Sequence, residues 1–352
     1  MDIDTVQKYL AENLDSQIKV LSCRQTFPGM SRETWLIEAE IGQKATPRGL
    51  VLRVDPPSGG GVPVPLKVEW EVYQRLYSSP VPVAKPLWFN EDIEFAEGRS
   101  HMVRDMVEGT TEVEGLHEPG PAGNALREKI CKTHAEALAL VHTLDWNQYG
   151  FAEVFPVPAS PADAMRSEFE IWKGKWIALR TDPFPVITEA LFWLQDLMPE
   201  TSGQISLIKG NNGVGEEIWK DNRIVAMSDW ELATLGEPCL DWAFSQGMLG
   251  LWNREQVLQH YEQAAGFSLS REMLAFCHIW ITFKAVVCLN STMNAFLTGI
   301  DRRPVIAGMG LGTAKNMERI LSAVINCKDV FEAEQIATRL RTSPYHSKQD
   351  SK

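Results

Sequence analysis

The segment Leu207–Ala243, LIKGNNGVGEEIWKDNRIVAMSDWELATLGEPCLDWA, concentrates the residues of this chain that could do chemistry. A glycine-rich stretch opens it, an Asp221-Asn222 turn folds it back, and Asp229 leaves the end of an apolar run. That order brings polar groups and backbone amides to one edge, which is how sites for metal-bound phosphates are built. The same residues also fit a structural role, in which Asp229 caps the following turn and the glycines serve bends. Other motifs carry less. GMGLGTAK, Gly308–Lys315, matches neither G-x-G-x-x-G nor the Walker spacing, and reads as a glycine-rich helix start. His134 and His142 lie on one helical face but too far apart for one metal ion. Trp172, Trp176, Trp242, Trp252 and Trp280 fit either an apolar acceptor pocket or a helical core.

The elements that must position this segment follow from periodicity. Ile18–Phe27, Thr34–Ile41, Gly49–Asp55, Ala84–Phe89 and His101–Val107 are short and rich in β-branched, leucine and aromatic residues, as strands are. Between the third and fourth, Val68, Val72, Tyr73 and Leu76 recur at helical spacing within Leu66–Tyr77, after the connector PPSGGGVPVP. Beyond Gly109 the helical period takes over: Ile130, His134, Leu138, Val141 and Leu144 share one face, and Ile187, Ala190, Leu191, Leu194 and Leu197 another. Ser160, Pro161 and Asp163 form a helix start. One β island interrupts the helices, Ser206–Gly210 followed by a hairpin of Glu217–Trp219 and Arg223–Ser228. The last twenty residues lose their apolar content and are expected to fray.

Composition narrows the function classes. The 352 residues predict about two domains with a large core, and 44% hydrophobic with 23% charged residues is globular composition. A formal charge of −12 opposes a protein that tracks nucleic-acid phosphates, because that affinity comes from lysine and arginine. An acidic cleft suits cations or metal-bound anions. Six cysteines without a CxxC pair argue against a zinc ribbon or disulfide framework. The opening MDIDTVQKYL has no apolar core of the kind a signal peptide needs, and Leu274–Leu297 is interrupted by His278, Lys284 and Asn290. The expectation is a cytoplasmic protein with no membrane span.

Six strings in order carry a resemblance: FPGMSRETWLIE, GLVLRVDPP, VEWEVYQRL, HMVRDMVEG, HAEALALVHTLDW and MSDWELATLGEPCLDWA. From about Leu21 to about Val324 the chain resembles the aminoglycoside phosphotransferase and choline kinase-like branch of the kinase-like superfamily. It is nearest the subgroup associated with acyl-CoA dehydrogenase family members. The resemblance implies a two-lobed α+β fold. A β-rich N-lobe would occupy residues 1–107, a mainly helical C-lobe residues 108–330, and a tail residues 331–352. It implies that Gly29, Met30 and Ser31 belong to a loop covering the nucleotide phosphates. Arg53 then stands as the third-strand cation and Glu69 as its helix-borne partner, while Asp105, Met106 and Val107 supply hinge groups for an adenine ring. Asp229 matches the metal-binding aspartate, and Asp241 an acid that braces the catalytic segment. ATP and Mg²⁺ or Mn²⁺ would be the cofactors, and a small-molecule hydroxyl the acceptor.

Two positions depart from that pattern. The family's His-Gly-Asp, with an Asn five residues after the Asp, becomes Lys209, Gly210, Asn211 and Glu216. An amide has no proton-accepting carboxylate, so Asn211 can orient a hydroxyl but cannot act as general base. Glu216 with Asp229 would make a two-carboxylate oxygen site suited to hard cations, and Lys209 would add a point charge for a phosphate. The expected function is an ATP- and metal-dependent phosphotransferase. Its alternatives are a pseudokinase-like nucleotide or ligand binding protein without turnover, and a nucleotidyl transferase. In a plainer alternative Glu216 and Glu217 are solvated strand-edge acids, Lys209 pairs with one of them, and Arg53 is an exposed strand residue.

Overall fold

The computed structural model describes residues 2–14, 17–26, 31–42, 47–56, 64–91, 94–180, 183–245 and 251–341. It has the two-lobed, kinase-like α+β architecture. The β-rich lobe is a five-stranded antiparallel sheet in the order β1-β2-β3-β5-β4. Its strands are β1 (Ile18–Gln25), β2 (Glu33–Ile41), β3 (Arg48–Val54), β4 (Pro86–Asn90) and β5 (His101–Asp105). Helices α1 (Ile3–Asn13) and α2 (Leu66–Leu76) accompany it. The helical lobe contains α3 (Pro121–His142), α4 (Ala164–Leu179), α5 (Pro185–Asp196) and α6 (Cys239–Phe244). It continues with α7 (Arg254–Ala265), α8 (Arg271–Leu297), α9 (Pro304–Gly308), α10 (Ala314–Val324) and α11 (Val330–Arg341). Four short strands interrupt these helices: β6 (Ser206–Ile208), β7 (Glu217–Lys220), β8 (Arg223–Met227) and β9 (Thr234–Gly236).

By packing, the chain divides into two compact units. The first comprises Met1–Pro156, Lys209–Thr234 and Gly247–Ala265, and carries every candidate cofactor, metal and catalytic residue named above. In it, α1 is capped by the Asp2 carboxylate, which accepts from Thr5 N at 2.9 Å. Its Val6, Tyr9 and Leu10 pack with Leu50, Leu52 and Val54 of β3. Tyr9 is the polar centre of this layer. His101 Nδ1–H donates to Arg99 O at 2.8 Å, so His101 Nε2 accepts from the Tyr9 hydroxyl at 2.7 Å. Tyr9 Oη in turn accepts from Trp88 Nε1 at 2.7 Å and Asn90 Nδ2 at 2.8 Å. The hairpin β7–β8 turns on Asp221 (φ 53°) and Asn222 (φ 59°), the left-handed pair that a two-residue hairpin loop demands.

The second unit comprises Val157–Ile208, Leu235–Gln246 and Gly266–Lys352, and is built around α8, which packs against α4, α5, α6, α9, α10 and α11. Among the described residues α8 alone is long and apolar enough to cross a membrane, and 83% of its apolar window is buried within the protein. Lys284, which interrupts it, meets Glu168 at 2.6 Å and lies 4.7 Å from the Trp172 ring. Trp172, Trp176, Trp242 and Trp280 are buried core, the plainer of the two readings of those residues. Two local expectations are corrected here. GMGLGTAK forms a π-helical turn at Met309–Thr313 that runs into α10. Residues 330–341 do not fray: α11 buries Val330, Ala333 and Ala337 at helical spacing, and three small residues suffice because α8 and α10 cover them. Strand β9 was not foreseen, since three residues give no period to read.

Candidate active site

Strand alternation sets the first half of the site. Leu50, Leu52 and Val54 of β3 face α1, so Arg53 faces the opposite side of the sheet. There Arg53 Nη1 lies 2.9 Å from Glu69 Oε1. Glu69 sits in the first turn of α2, where a helix N-terminus favours an acid. Arg53 is 7% exposed and Glu69 0%, so neither the exposed-strand alternative for Arg53 nor a solvated ion pair applies. Both nitrogens of the guanidinium fork also donate to Asp229 Oδ1 at 3.1 Å, and Nη2 lies 4.0 Å from Glu231 Oε2. Burial works to lower the Arg53 pKa, but Glu69, Asp229 and Glu231 outweigh it and hold the group charged. Burial raises Glu69, against the pull of Arg53.

The second half is the catalytic segment. Asp229 follows β8 with φ 64°, a left-handed conformation that aspartate tolerates better than most residues and that costs backbone energy. Its Oδ2 accepts from Asn211 Nδ2 at 2.5 Å. Burial would raise its pKa, but Arg53, Lys209 and the two hydrogen bonds bring it below the usual range. Gly210 makes this approach possible. At φ 84°, a Cβ there would fall 2.7 Å from the Leu232 carbonyl carbon. Lys209 is buried, hydrogen-bonds the Asn211 carbonyl, lies 5.7 Å from the Trp230 ring and exerts its charge on both Glu216 and Asp229.

Glu216 reaches the same place. Its backbone carbonyl accepts from Ser228 N at 2.9 Å and Ser228 Oγ at 3.0 Å, and its carboxyl group lies within the field of Asp229. Burial first, and then the Asp229 charge, push Glu216 up to about 7. Glu231 is pushed to about 8 by burial and by Asp229. Five carboxyl groups (Asp55, Glu69, Glu216, Asp229, Glu231) thus crowd three bases (Arg32, Arg53, Lys209). Among the described residues no three His, Cys, Asp or Glu side chains are arranged to hold a metal. A cation on Glu216 and Asp229 would complete its shell with phosphate oxygens and water, as Mg²⁺ does.

The residues expected to form a hinge lie at the end of β5. Met106 N donates to Gly49 O at 3.0 Å, Asp105 N to Lys85 O at 2.9 Å, and Arg48 clasps the Asp105 carboxylate at 2.5 and 2.9 Å. Asp105 is therefore structural, and no hydrogen bond among the described residues uses Val107 N. Ser31 is half-buried at the entry to β2, while Gly29 and Met30 lie outside the described residues. Asp241 is buried at the start of α6 in the second unit.

Two site residues escaped sequence reasoning, Arg32 and Glu231. Arg32 is buried, meets Asp55 at 2.6 Å, donates to Val64 O at 2.5 Å, and its Nε lies 3.9 Å from Glu231. It joins the residue after the candidate phosphate loop to the end of β3, the approach to α2 and the Asp229 segment. The one available signal was charge in apolar surroundings: Arg32 beside a strand, and Glu231 inside MSDWELA.

Known proteins resemble this chain in sequence and in fold. The phosphotransferase enzyme family matches residues 28–276. Mouse acyl-CoA dehydrogenase family member 11 is 26% identical over 296 residues, covering 79% of this chain and 35% of its own length. The chicken protein of that name is 29% identical over 254 residues, covering 69% of this chain and 30% of its own. The chain thus spans about a third of the curated relatives it matches. Among solved structures, a Ralstonia eutropha protein assigned as an aminoglycoside phosphotransferase superposes with a TM-score of 0.66 at 19% identity, over 96% of this chain and 98% of that one. The macrolide 2'-phosphotransferase of Brachybacterium faecium gives 0.55 at 17% identity, over 93% and 99%. At such identities the superpositions speak for the fold, and the family match extends over well more than half of the sequence. This chain belongs to the phosphotransferase enzyme family.

Proposed function

We propose that the chain is an ATP- and Mg²⁺- or Mn²⁺-dependent phosphotransferase acting on a small-molecule hydroxyl. One observation carries the reading: Arg53 of β3 holds Glu69 of α2 and Asp229 together, with the Glu216 carboxyl group near enough to that same aspartate to feel its charge. Glu216 and Asp229 would hold the cation, which supplies charge neutralisation to the phosphates. Arg53 would turn one arm of its fork to phosphate oxygens while Glu69 retains the other. Ser31, with Gly29 and Met30, would cover the phosphates, and the hinge at Asp105, Met106 and Val107 would receive adenine, dividing residues 1–107 from the helical lobe. Lys209 steadies the Asn211 turn from below, a fixed positive charge behind the carboxylates.

Asn211 sets the character of the transfer. Its Nδ2 is committed to Asp229, which leaves Oδ1 to accept from the acceptor hydroxyl. That hydroxyl oxygen bonds to the γ-phosphorus, the bond from phosphorus to the bridging oxygen breaks, and ADP departs. The proton leaves to water or phosphate, because an amide does not take it. A general base contributes about 10²–10⁴ in rate, whereas phosphoryl transfer draws chiefly on positioning and charge. The reading is therefore of a slow enzyme, with no nucleic-acid partner. Binding without turnover is the second reading, favoured by the same Asn211 and by Arg53 and Asn211 already engaging both Asp229 oxygens.

The test is ATP titration with and without Mg²⁺ or Mn²⁺, followed by product detection against amino-sugars, choline-like alcohols and hydroxyacyl compounds. Metal-dependent binding with phosphorylated product is expected. Metal-dependent binding with no product establishes the second reading, and transferred AMP a nucleotidyl transferase. Binding indifferent to metal overturns the proposed site.

A further inference from the structure

Two adjacent glutamates compete for one place. Glu216, whose carbonyl accepts from Ser228 N at 2.9 Å, has its carboxyl group in the field of Asp229, whereas Glu217 is buried and its Oε1 accepts from His134 Nδ1–H at 2.5 Å. Glu217 has extended backbone, φ −122° and ψ 143°, so its side chain and its neighbour's take different sides. Only one of the two can face Asp229. A slip of one residue would keep a carboxylate opposite Asp229, Glu217 in place of Glu216, but would bring Ile218 to His134.

Backbone hydrogen bonds from Ser228 to Glu216 and between Thr110 and Trp219 hold the register in part. The β7–β8 ladder already carries an irregularity between Ile218 and Trp219, and the loop before it contains Gly213 and Gly215, whose α-carbons face open space. His134 distinguishes the two glutamates. It is fully buried on the face of α3 that also buries Ile130 and Leu138. Its hydrogen bond is the only one that the described residues give the Glu217 carboxyl group, whose Oε2 is buried without a partner. A buried carboxyl group has strong reason to keep its one partner.

We propose that His134 and Glu217 are positioning residues whose buried hydrogen bond selects which of the adjacent glutamates faces Asp229, and so makes Glu216 the cation ligand. This rests on the reading of Glu216 and Asp229 as the cation site.

The experiment measures, on the full chain, how far Mg²⁺ tightens ATP binding over binding in chelator, alongside a melting curve. In wild type Mg²⁺ tightens binding and Glu216→Gln removes the effect. His134→Ala is expected to weaken the Mg²⁺-dependent affinity about tenfold or more, the usual effect of losing a group that orients a ligand, while affinity in chelator holds. Glu217→Gln keeps an acceptor for His134 and stays near wild type. The double variant His134→Ala with Glu217→Leu restores the Mg²⁺ effect, because an apolar residue buries itself in that place and leaves a single glutamate for Asp229. A merely structural pair would not be rescued in this way. An unchanged Mg²⁺ effect in folded His134→Ala, or a double variant that folds without restoring it, overturns the proposal. Should His134→Ala not fold, the double variant and Glu217→Gln decide alone. A wild type without any Mg²⁺ effect, or one whose effect survives Glu216→Gln, overturns the cation site itself.

Discussion

Replacing Arg53 with glutamine separates the electrostatic work of this residue from its bulk. Glu69 is fully buried, Arg53 at 2.9 Å is its one ion-pair partner among the described residues, and neither of its oxygens accepts another hydrogen bond there. Removing one partner of such a buried pair costs about 3–5 kcal/mol, because the remaining charge is left in a poor solvent. Asp229 loses less, keeping Asn211 Nδ2 and the field of Lys209. The stranded Glu69 responds by taking a proton, so its pKa, already raised by burial, climbs further. The folded state then holds a proton that the unfolded chain, with an ordinary glutamate pKa of about 4.3, releases. Stability of the variant therefore falls as pH rises through that window, by up to about 1.4 kcal/mol per pH unit. Urea unfolding followed by tryptophan fluorescence should show Arg53→Gln about 3–5 kcal/mol less stable than wild type at pH 7.5. The deficit should narrow by about 1–3 kcal/mol at pH 5.5. A loss under about 1 kcal/mol, or a deficit equal at both pH values, would refute the electrostatic account.

Asn211→Asp should raise the rate of phosphoryl transfer by up to about 10²-fold, the low end of a general base's contribution, with nucleotide affinity nearly unchanged; single-turnover product formation is the measurement. Because Glu216 is pushed up to about 7 and a cation needs it ionised, Mg²⁺-dependent ATP affinity should increase as pH rises through 7 and level off above it. Titration calorimetry across pH 6 to 8.5 would expose a flat profile if Glu216 is not a ligand. Tyr9→Phe removes the hydroxyl shared by His101, Trp88 and Asn90 and should cost about 1–3 kcal/mol in denaturant melts. In wild type, burial holds the His101 pKa below its usual value of 6.5, so the stabilising contribution of this neutral ring is full above about pH 6.5. It is lost as pH falls from there, and the pH dependence of melting should flatten in His101→Phe.

The small sheet and its helix were legible because their periods are plain. Leu50, Leu52 and Val54 alternate with Arg53 along β3, and Val68, Val72, Tyr73 and Leu76 mark the inner face of α2. The Asp221-Asn222 turn declared itself by residue type. Arg53, Glu69 and Asp229 were found through the order of six strings, Asn211 and Glu216 as departures from the family's pattern, and the fold brings Arg53, Glu69, Asn211 and Asp229 into contact with Glu216 close by. Arg32, Glu231 and the bond from His134 to Glu217 were invisible for one physical reason. Each is a charged or polar contact between segments remote in sequence, and no local spacing encodes its partner. The adenine and acceptor contacts depend on backbone and cavity shape, which residue type does not report.

One small pairing ties two parts of the machine together. Thr110, just past the hinge, exchanges two backbone hydrogen bonds with Trp219 of the catalytic hairpin, Thr110 N to Trp219 O at 2.9 Å and Trp219 N to Thr110 O at 2.7 Å. Thr110 lies beyond residues 107–109, so a bend there would leave this pairing intact and keep β7 fastened to the chain that follows, at about 1 kcal/mol net for each bond. Since Glu216 immediately precedes β7, the pairing gives the proposed metal carboxylate a fixed mooring on the far side of residues 107–109, independent of its link through Asp229 to Arg53.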